Sequence, residues 1–314
     1  MKILKKNLIY ILMILGLFLI GGCSNKEVYS NKDNDLGNNS MKVSVAIVPQ
    51  KTFVKAVGGD LVDVEVMIPP GYSPANYQPT PKQMSKLSES QIYFSIGVPT
   101  EESNILPMIE GLDENIKVVH LDDKVRKVYP DRIFDEEHEH DSDEHDSDEH
   151  DHKGRDPHIW LSPKRAKIMI DDIKNELVQL DPDNKQIYEK NAINYIAKLD
   201  EVDKEIKNII NNVSKQSFIM YHPSFGYFAD DYNLNMVAIE EDGKETTAKR
   251  LKEIIDFAKK NNIKFVFYQE EFDSKQAETI ANEIGGKSIQ VSPLSPNYIE
   301  NLKNISDKFE EVLN

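Results

Sequence analysis

From Met41 onward, short β-branched and aromatic runs alternate with stretches in which apolar residues recur every three or four positions. Lys42–Val48, Leu61–Ile68, Gln91–Ile96 and Lys117–Leu121 predict strands, with helices over Gln50–Gly58, Pro81–Ser88 and Glu101–Glu110 between them. A second series repeats the theme, with strands over Ser217–Tyr221, Met236–Ile239, Ile263–Tyr268 and Ser288–Val291. Its helices are predicted over Phe225–Tyr232, Thr246–Asn261, Ser274–Ile284 and Asn297–Leu313. Such alternation implies parallel sheets with crossover helices, so the expected fold class is α/β with two lobes. Residues 163–212 carry almost no strand signal and are broken only near Asp181-Pro182-Asp183. Beyond the break, Ile187, Ile193, Ile196, Leu199, Val202, Ile206 and Ile209 predict the buried face of one long helix. At about 1.5 Å per residue, some 28 residues would reach roughly 42 Å, enough to join the lobes as a rigid strut. Ligands of such folds sit at the carboxyl ends of the strands, here in the cleft between lobes.

The first forty residues read differently. Lys2, Lys5 and Lys6 precede an uncharged apolar run over Leu8–Ile20, too short for a stable membrane span and laid out like a secretory signal. Ile20-Gly21-Gly22-Cys23 follows and contains the only cysteine in 314 residues. Small residues directly before a cysteine at the end of such a run resemble the lipobox of bacterial lipoproteins. That resemblance implies lipidation of Cys23 and export to the outer face of the cytoplasmic membrane. The expected layout is a signal peptide over 1–22, a polar tether over 23–40, a first lobe over 41–162, a helical strut over 163–212 and a second lobe over 213–314.

Charge and cysteine content narrow the chemistry. With 38 Lys+Arg against 54 Asp+Glu the net charge is −16, and losing residues 1–22 removes three lysines and no acid, taking it to −19. Phosphate backbones are repelled, so nucleic acid is excluded as a partner. One cysteine excludes a disulfide framework and a Cys-based zinc finger. The acids are concentrated: 135–151 holds eleven and no base, interleaved with His138, His140, His145 and His150, with His152 just beyond. The repeat of five matches neither helix nor strand, so 134–156 is expected to be a disordered insert. Imidazole and carboxylate together bind divalent metals. Ordering a flexible segment costs about 1–2 kcal/mol per residue, so this stretch is expected to be an auxiliary, loose metal collector.

Tight binding calls for a rigid site, and two strings offer one histidine per lobe. Asp156-Pro157-His158-Ile159-Trp160-Leu161-Ser162-Pro163 ends the first lobe beside the only tryptophan; Tyr221-His222-Pro223-Ser224-Phe225-Gly226-Tyr227-Phe228 follows a buried-type strand. Together these strings resemble the substrate-binding lipoproteins of zinc and manganese ABC importers, over nearly all of Met41–Asn314. The resemblance implies two α/β lobes on a long rigid helix, the metal-receptor type of periplasmic binding fold, with His158 and His222 as direct ligands. It implies a monomeric, non-enzymatic, lipid-anchored receptor that captures Zn²⁺ in the interlobe cleft and delivers it to an ABC-type permease.

Two positions depart from the family. Asn76 stands where a ligating histidine is expected, and Ser292 where a carboxylate often is. Glu270 and Glu271, at the carboxyl end of strand Ile263–Tyr268, could supply the missing acid, although an acid pair before a helix is also explained by the helix dipole. A histidine of 138–152 could instead fill the place that Asn76 leaves. Glu240, Glu241 and Asp242 read best as a solvated turn, and His120 suits hydrogen bonding as well as ligation. Two imidazoles plus a carboxylate suit Zn²⁺ better than Mn²⁺. A manganese receptor and, in another class, a zinc hydrolase with Glu270 or Glu271 as base are the alternatives. No His-Glu-x-x-His occurs.

Overall fold

The structure, a computed structural model, describes residues 40–111, 116–134, 154–240, 246–272 and 274–314. Cys23, the tether, and His138, His140, His145, His150 and His152 lie outside the described residues. The first sheet comprises β1 (Met41–Val45), β2 (Val62–Val66), β3 (Ile92–Ser95) and β4 (Lys117–His120), in the order β2-β1-β3-β4, every pairing parallel. Helices α1 (Val48–Gly58), α2 (Pro81–Leu87) and α3 (Leu106–Gly111) lie between its strands, and α4 (Leu121–Arg126) follows β4. The second sheet repeats that order with β5 (Ser217–Met220), β6 (Asn235–Ala238), β7 (Phe265–Gln269) and β8 (Lys287–Val291), as β6-β5-β7-β8. Two helices, α5 (Pro163–Leu180) and α6 (Lys185–Ile210), come before it; α7 (Gly226–Asp231), α8 (Ala248–Lys260), α9 (Ser274–Glu283) and α10 (Tyr298–Leu313) complete it.

The α/β alternation is therefore as the pattern implies, and β1 and β5 start the two sheets at matching places. Each sheet reverses its strand order beside those strands, which opens a crevice at their carboxyl ends. The chain turns at Pro182–Asn184, where Asp181 Oδ2 accepts from Asn184 Nδ2 and Tyr188 Oη. The buried face of α6 differs from the expected one. Ile193 is 68% exposed and Ile187 is also exposed, whereas Tyr188, Ala192, Leu199, Val202, Ile206 and Ile210 are buried. Small and aromatic residues carry that face near its start, because α6 must lie against α1 of the first lobe there. The expected stripe holds at Leu199, Val202 and Ile206 and fails at Ile187 and Ile193.

Helix α6 also packs on α5 and on α10 of the second lobe, so one hydrophobic cluster runs through both lobes, while a second, around Ile219, Ile254, Val266 and Ile280, belongs to the second lobe alone. Polar contacts close the seam. Phe53 meets Tyr298 edge-on with ring centres 4.8 Å apart, and Tyr298 Oη donates to the Trp160 carbonyl. Trp160 Nε1 donates to the Pro293 carbonyl (3.0 Å), and Thr52 Oγ1 to that of Pro296 (2.8 Å). Arg165 and Ser162 both reach the Asp231 carboxylate. Wide hinge motion would break this whole set at once.

At the carboxyl end of β3, Glu101 is fully buried and accepts from Tyr93 Oη (2.7 Å) and from the backbone N–H groups of Ile96, Gly97 and Val98. Burial pushes its carboxyl up to about 7 against the pull of these donors. The turn it holds runs through Gly97 at φ +81°, where a Cβ would meet Arg155 Nη2 at 1.9 Å. Removing the acceptor leaves several buried donors unpaired at about 1–3 kcal/mol each. Glu101→Ala is thus expected to cost at least about 3 kcal/mol in chemical denaturation; a midpoint unchanged from the parent would show the turn to be held by other means.

Candidate metal site

Both histidines are placed by backbone features that the sequence specifies. His158 sits between Pro157 and a short 3₁₀ turn over Ile159–Leu161. Pro157 fixes the chain so that Asp156, two residues earlier, accepts from both the His158 backbone N–H (2.9 Å) and its Nδ1 (2.8 Å). Asp156 is completely buried, and its other oxygen lies 3.5 Å from Arg132 Nη1. Gly226, the first residue of α7, passes beneath this pair: a Cβ there would stand 2.5 Å from Asp156 Oδ2.

His222 extends the line of β5. Met220 pairs with Ala238 in the parallel register, and two residues further on His222 faces Glu240, whose Oε2 takes the Nδ1 hydrogen bond at 2.9 Å. Gln269, ending β7, holds the same turn through Nε2 bonds to the His222 carbonyl (2.8 Å) and Ser224 Oγ (2.6 Å). Phe272 stacks on the His222 ring at 4.6 Å, and Trp160 lies 5.1 Å from the His158 ring.

With each Nδ1 committed to a carboxylate, each ring carries its hydrogen on Nδ1 and turns a bare Nε2 lone pair outward. Those two Nε2 atoms face each other at 3.3 Å. Zinc–imidazole bonds of 2.0–2.1 Å at a tetrahedral angle put two nitrogens about 3.3–3.4 Å apart, so the pair has the span of two ligands on one ion. Burial lowers the His158 pKa, with Asp156 pulling the other way, which favours the neutral, ligating ring.

The pair opens into a cavity of about 630 Å³ bounded by the loop after β2, including Tyr72 and Asn76, and by Val98, Phe134 and Leu294. Asn76 thus lies in the wall, at the side opposite the second lobe. Glu271, not Glu270, lies in the wall, and Glu270 is exposed. Burial and the Glu270 charge raise the Glu271 carboxyl to about 7, and its Oε1 is buried without a hydrogen-bond partner. The reading of Glu240 as a solvated turn is corrected, because it is buried and orients His222. His120 is exposed, and the Ser292 carbonyl accepts from Asn301 Nδ2 and the Ser295 N–H; neither residue lines the cavity. Among the described residues, no three His, Cys, Asp or Glu side chains already form a metal cluster.

Residues 43–312 match the family described as ZnuA, zinc-uptake complex component A, periplasmic. The high-affinity zinc uptake system protein ZnuA of Bacillus subtilis (strain 168) is 33% identical over 278 residues, covering 86% of this chain and 83% of that relative. The zinc-binding lipoprotein AdcA of Streptococcus pneumoniae (strain ATCC BAA-255 / R6) is 31% identical over 93% of this chain, which spans only 56% of that longer relative. Among solved structures, a zinc-bound deletion mutant of ZnuA superposes with a TM-score of 0.78 at 34% identity, over 88% of this chain and 98% of that one.

Calorimetric titration with Zn²⁺ is expected to lose its tight phase in His158→Ala and in His222→Ala, with unchanged melting in the absence of metal. Glu271→Gln is expected to weaken that phase by roughly 10–100-fold, as losses around metal ligands do, while Glu270→Gln leaves it alone. Equal effects of the two glutamate variants would remove Glu271 from the site.

Proposed function

The chain belongs to the zinc-uptake complex component A family, and from that premise we propose that it is the metal-capturing receptor of an ABC importer for Zn²⁺. The observation that carries this reading is the pair of Nε2 lone pairs facing each other at 3.3 Å between two buried carboxylates. Without a cation the arrangement is electrostatically unfavourable, and with one it needs no rearrangement of either ring.

His158 and His222 supply the two imidazoles in this proposal, Glu271 the carboxylate and Asn76 a neutral oxygen from the first lobe. Burial raises the Glu271 carboxyl to about 7, so it is partly protonated at neutral pH; the ion displaces that proton, and capture weakens as pH falls. Two nitrogens and a carboxylate favour Zn²⁺ over Mn²⁺, which prefers a site richer in oxygen. Nanomolar capture corresponds to about −12 kcal/mol, so contacts with the permease must distort the site to release the ion. The seam between the lobes resists wide opening, so that distortion falls on the cavity loops, above all on the loop carrying Asn76 and the turn carrying Glu271 and Phe272.

The proposal places the chain outside the cytoplasmic membrane, anchored through Cys23 on the 23–40 tether, and acting as a monomer without catalytic turnover. His138, His140, His145, His150 and His152 serve as an auxiliary collecting stretch. The description of the family as an uptake component favours a receptor over the hydrolase alternative.

Competition titrations of the chain lacking residues 138–152 test the reading. Zinc is expected to bind at one tight site at least about 100-fold more strongly than Mn²⁺, with total zinc stoichiometry reduced relative to the full chain. Loss of tight binding on deletion would place a missing ligand in the removed residues, and a preference for Mn²⁺ would overturn the choice of ion. Cys23→Ala is expected to abolish lipid labelling and shift the protein out of the membrane fraction; labelling equal to wild type would overturn the anchor.

A further inference from the structure

A second cavity, of about 620 Å³, lies on the seam between α1, α6 and the Pro296 segment, separate from the metal cavity. Three lysines line it, Lys51 and Lys55 from α1 and Lys198 from α6, and none of its lining residues is acidic. Lys55 is engaged by the Gly59 and Val62 carbonyls. Lys51 and Lys198 are exposed and make no ion pair among the described residues. The groove also holds Tyr195, whose hydroxyl is buried without a hydrogen-bond partner. Two unpaired cations and one unsatisfied hydroxyl around an apolar floor are the recognition elements for a carboxylate flanked by apolar side chains.

The groove is joined to the metal cavity by one short segment. Pro293 and Leu294 are in the wall of the metal cavity, and Pro296 is in the wall of the groove. That segment is tied to the first lobe by the Thr52–Pro296 bond on the groove side and by the Trp160–Pro293 bond on the metal side. Thr52 itself lines the groove. An occupant seated there would contact the segment that closes the metal cavity.

Building on the receptor reading above, we propose that this groove is the docking site for an acidic surface segment of the membrane permease, with Lys51 and Lys198 as its charge contacts. Charge complementarity selects the occupant: three lysines and no acid line the groove, so it accepts a partner's carboxylates. The same contact bears on the Pro293–Pro296 segment, which lines both cavities.

The test is ⁶⁵Zn²⁺ uptake by cells of the source strain deleted for this gene and complemented with wild type, with the pair Lys51→Glu and Lys198→Glu, or with the pair Lys51→Arg and Lys198→Arg. Membrane levels, melting temperature and the zinc dissociation constant in solution are measured for each and are expected to match wild type. The proposal expects uptake to fall at least about tenfold with the glutamate pair, as loss of close charge pairs at an interface does, and to be retained with the arginine pair. Wild-type uptake by the glutamate pair would overturn the docking site while leaving the receptor reading intact. Failure of wild type itself to restore uptake would overturn the receptor reading, and this partner with it.

Discussion

Two imidazole nitrogens held 3.3 Å apart, each with its lone pair aimed at the other, form the constraint around which the cleft is organised. Left to itself such a pair relaxes by turning a ring or by trapping a proton. Here neither ring is free: Asp156 fixes one and Glu240 the other through Nδ1, and both carboxylates are buried, where a hydrogen bond to charge is strong. Phe272 and Trp160 then cover the ring faces. Both imidazoles are therefore held in place, and the unfavourable facing of two nitrogen lone pairs would become favourable with a cation between them.

That arrangement crosses the boundary between lobes, so its precision depends on how the lobes are joined. Asp156 and His158 close the first lobe, while His222 and Glu240 sit at the carboxyl ends of neighbouring strands in the second. A loose linker would let the Nε2 separation drift by more than the tolerance of a metal bond. Helix α6, packed on α1 and α10, and the hydrogen bonds through Trp160, Tyr298 and Thr52 remove that freedom. The two carboxylates are not equivalent. Asp156 lies near Arg132, which draws off part of its charge, whereas the charge of Glu240 is directed at His222 alone among the pairs described. The rest of the cavity wall includes Asn76 and the carboxyl of Glu271.

Much of this was readable from the chain. Strand and helix alternation predicts both sheets, because crossover connections leave a repeating pattern, and the His158 and His222 strings are conspicuous because each joins an imidazole to aromatics and proline. What resisted reading depends on register and on turn geometry. Glu240 becomes an orienting group only because Met220 pairs with Ala238, a relation between strands eighteen residues apart that no local pattern carries. The choice of Glu271 over Glu270 is set by which way one turn faces, and adjacent residues of like charge give no hint of it. Near the start of α6 the buried positions are Tyr188 and Ala192 rather than Ile187 and Ile193, a choice of face that hydrophobicity alone does not carry. Glu101 was invisible as a structural group, since a carboxylate that caps three backbone N–H groups looks, in sequence, like any acid at a helix start.

The central claim is that one ion bridges His158 and His222. X-ray absorption at the zinc K-edge, on the chain lacking residues 138–152 and loaded with one equivalent of Zn²⁺, measures this directly. The account predicts two imidazole nitrogens at about 2.0 Å with the outer-shell scattering of intact rings, the remaining neighbours being oxygen. Loss of one imidazole is expected in either single-histidine variant. A first shell with one imidazole or none in the parent chain would contradict it.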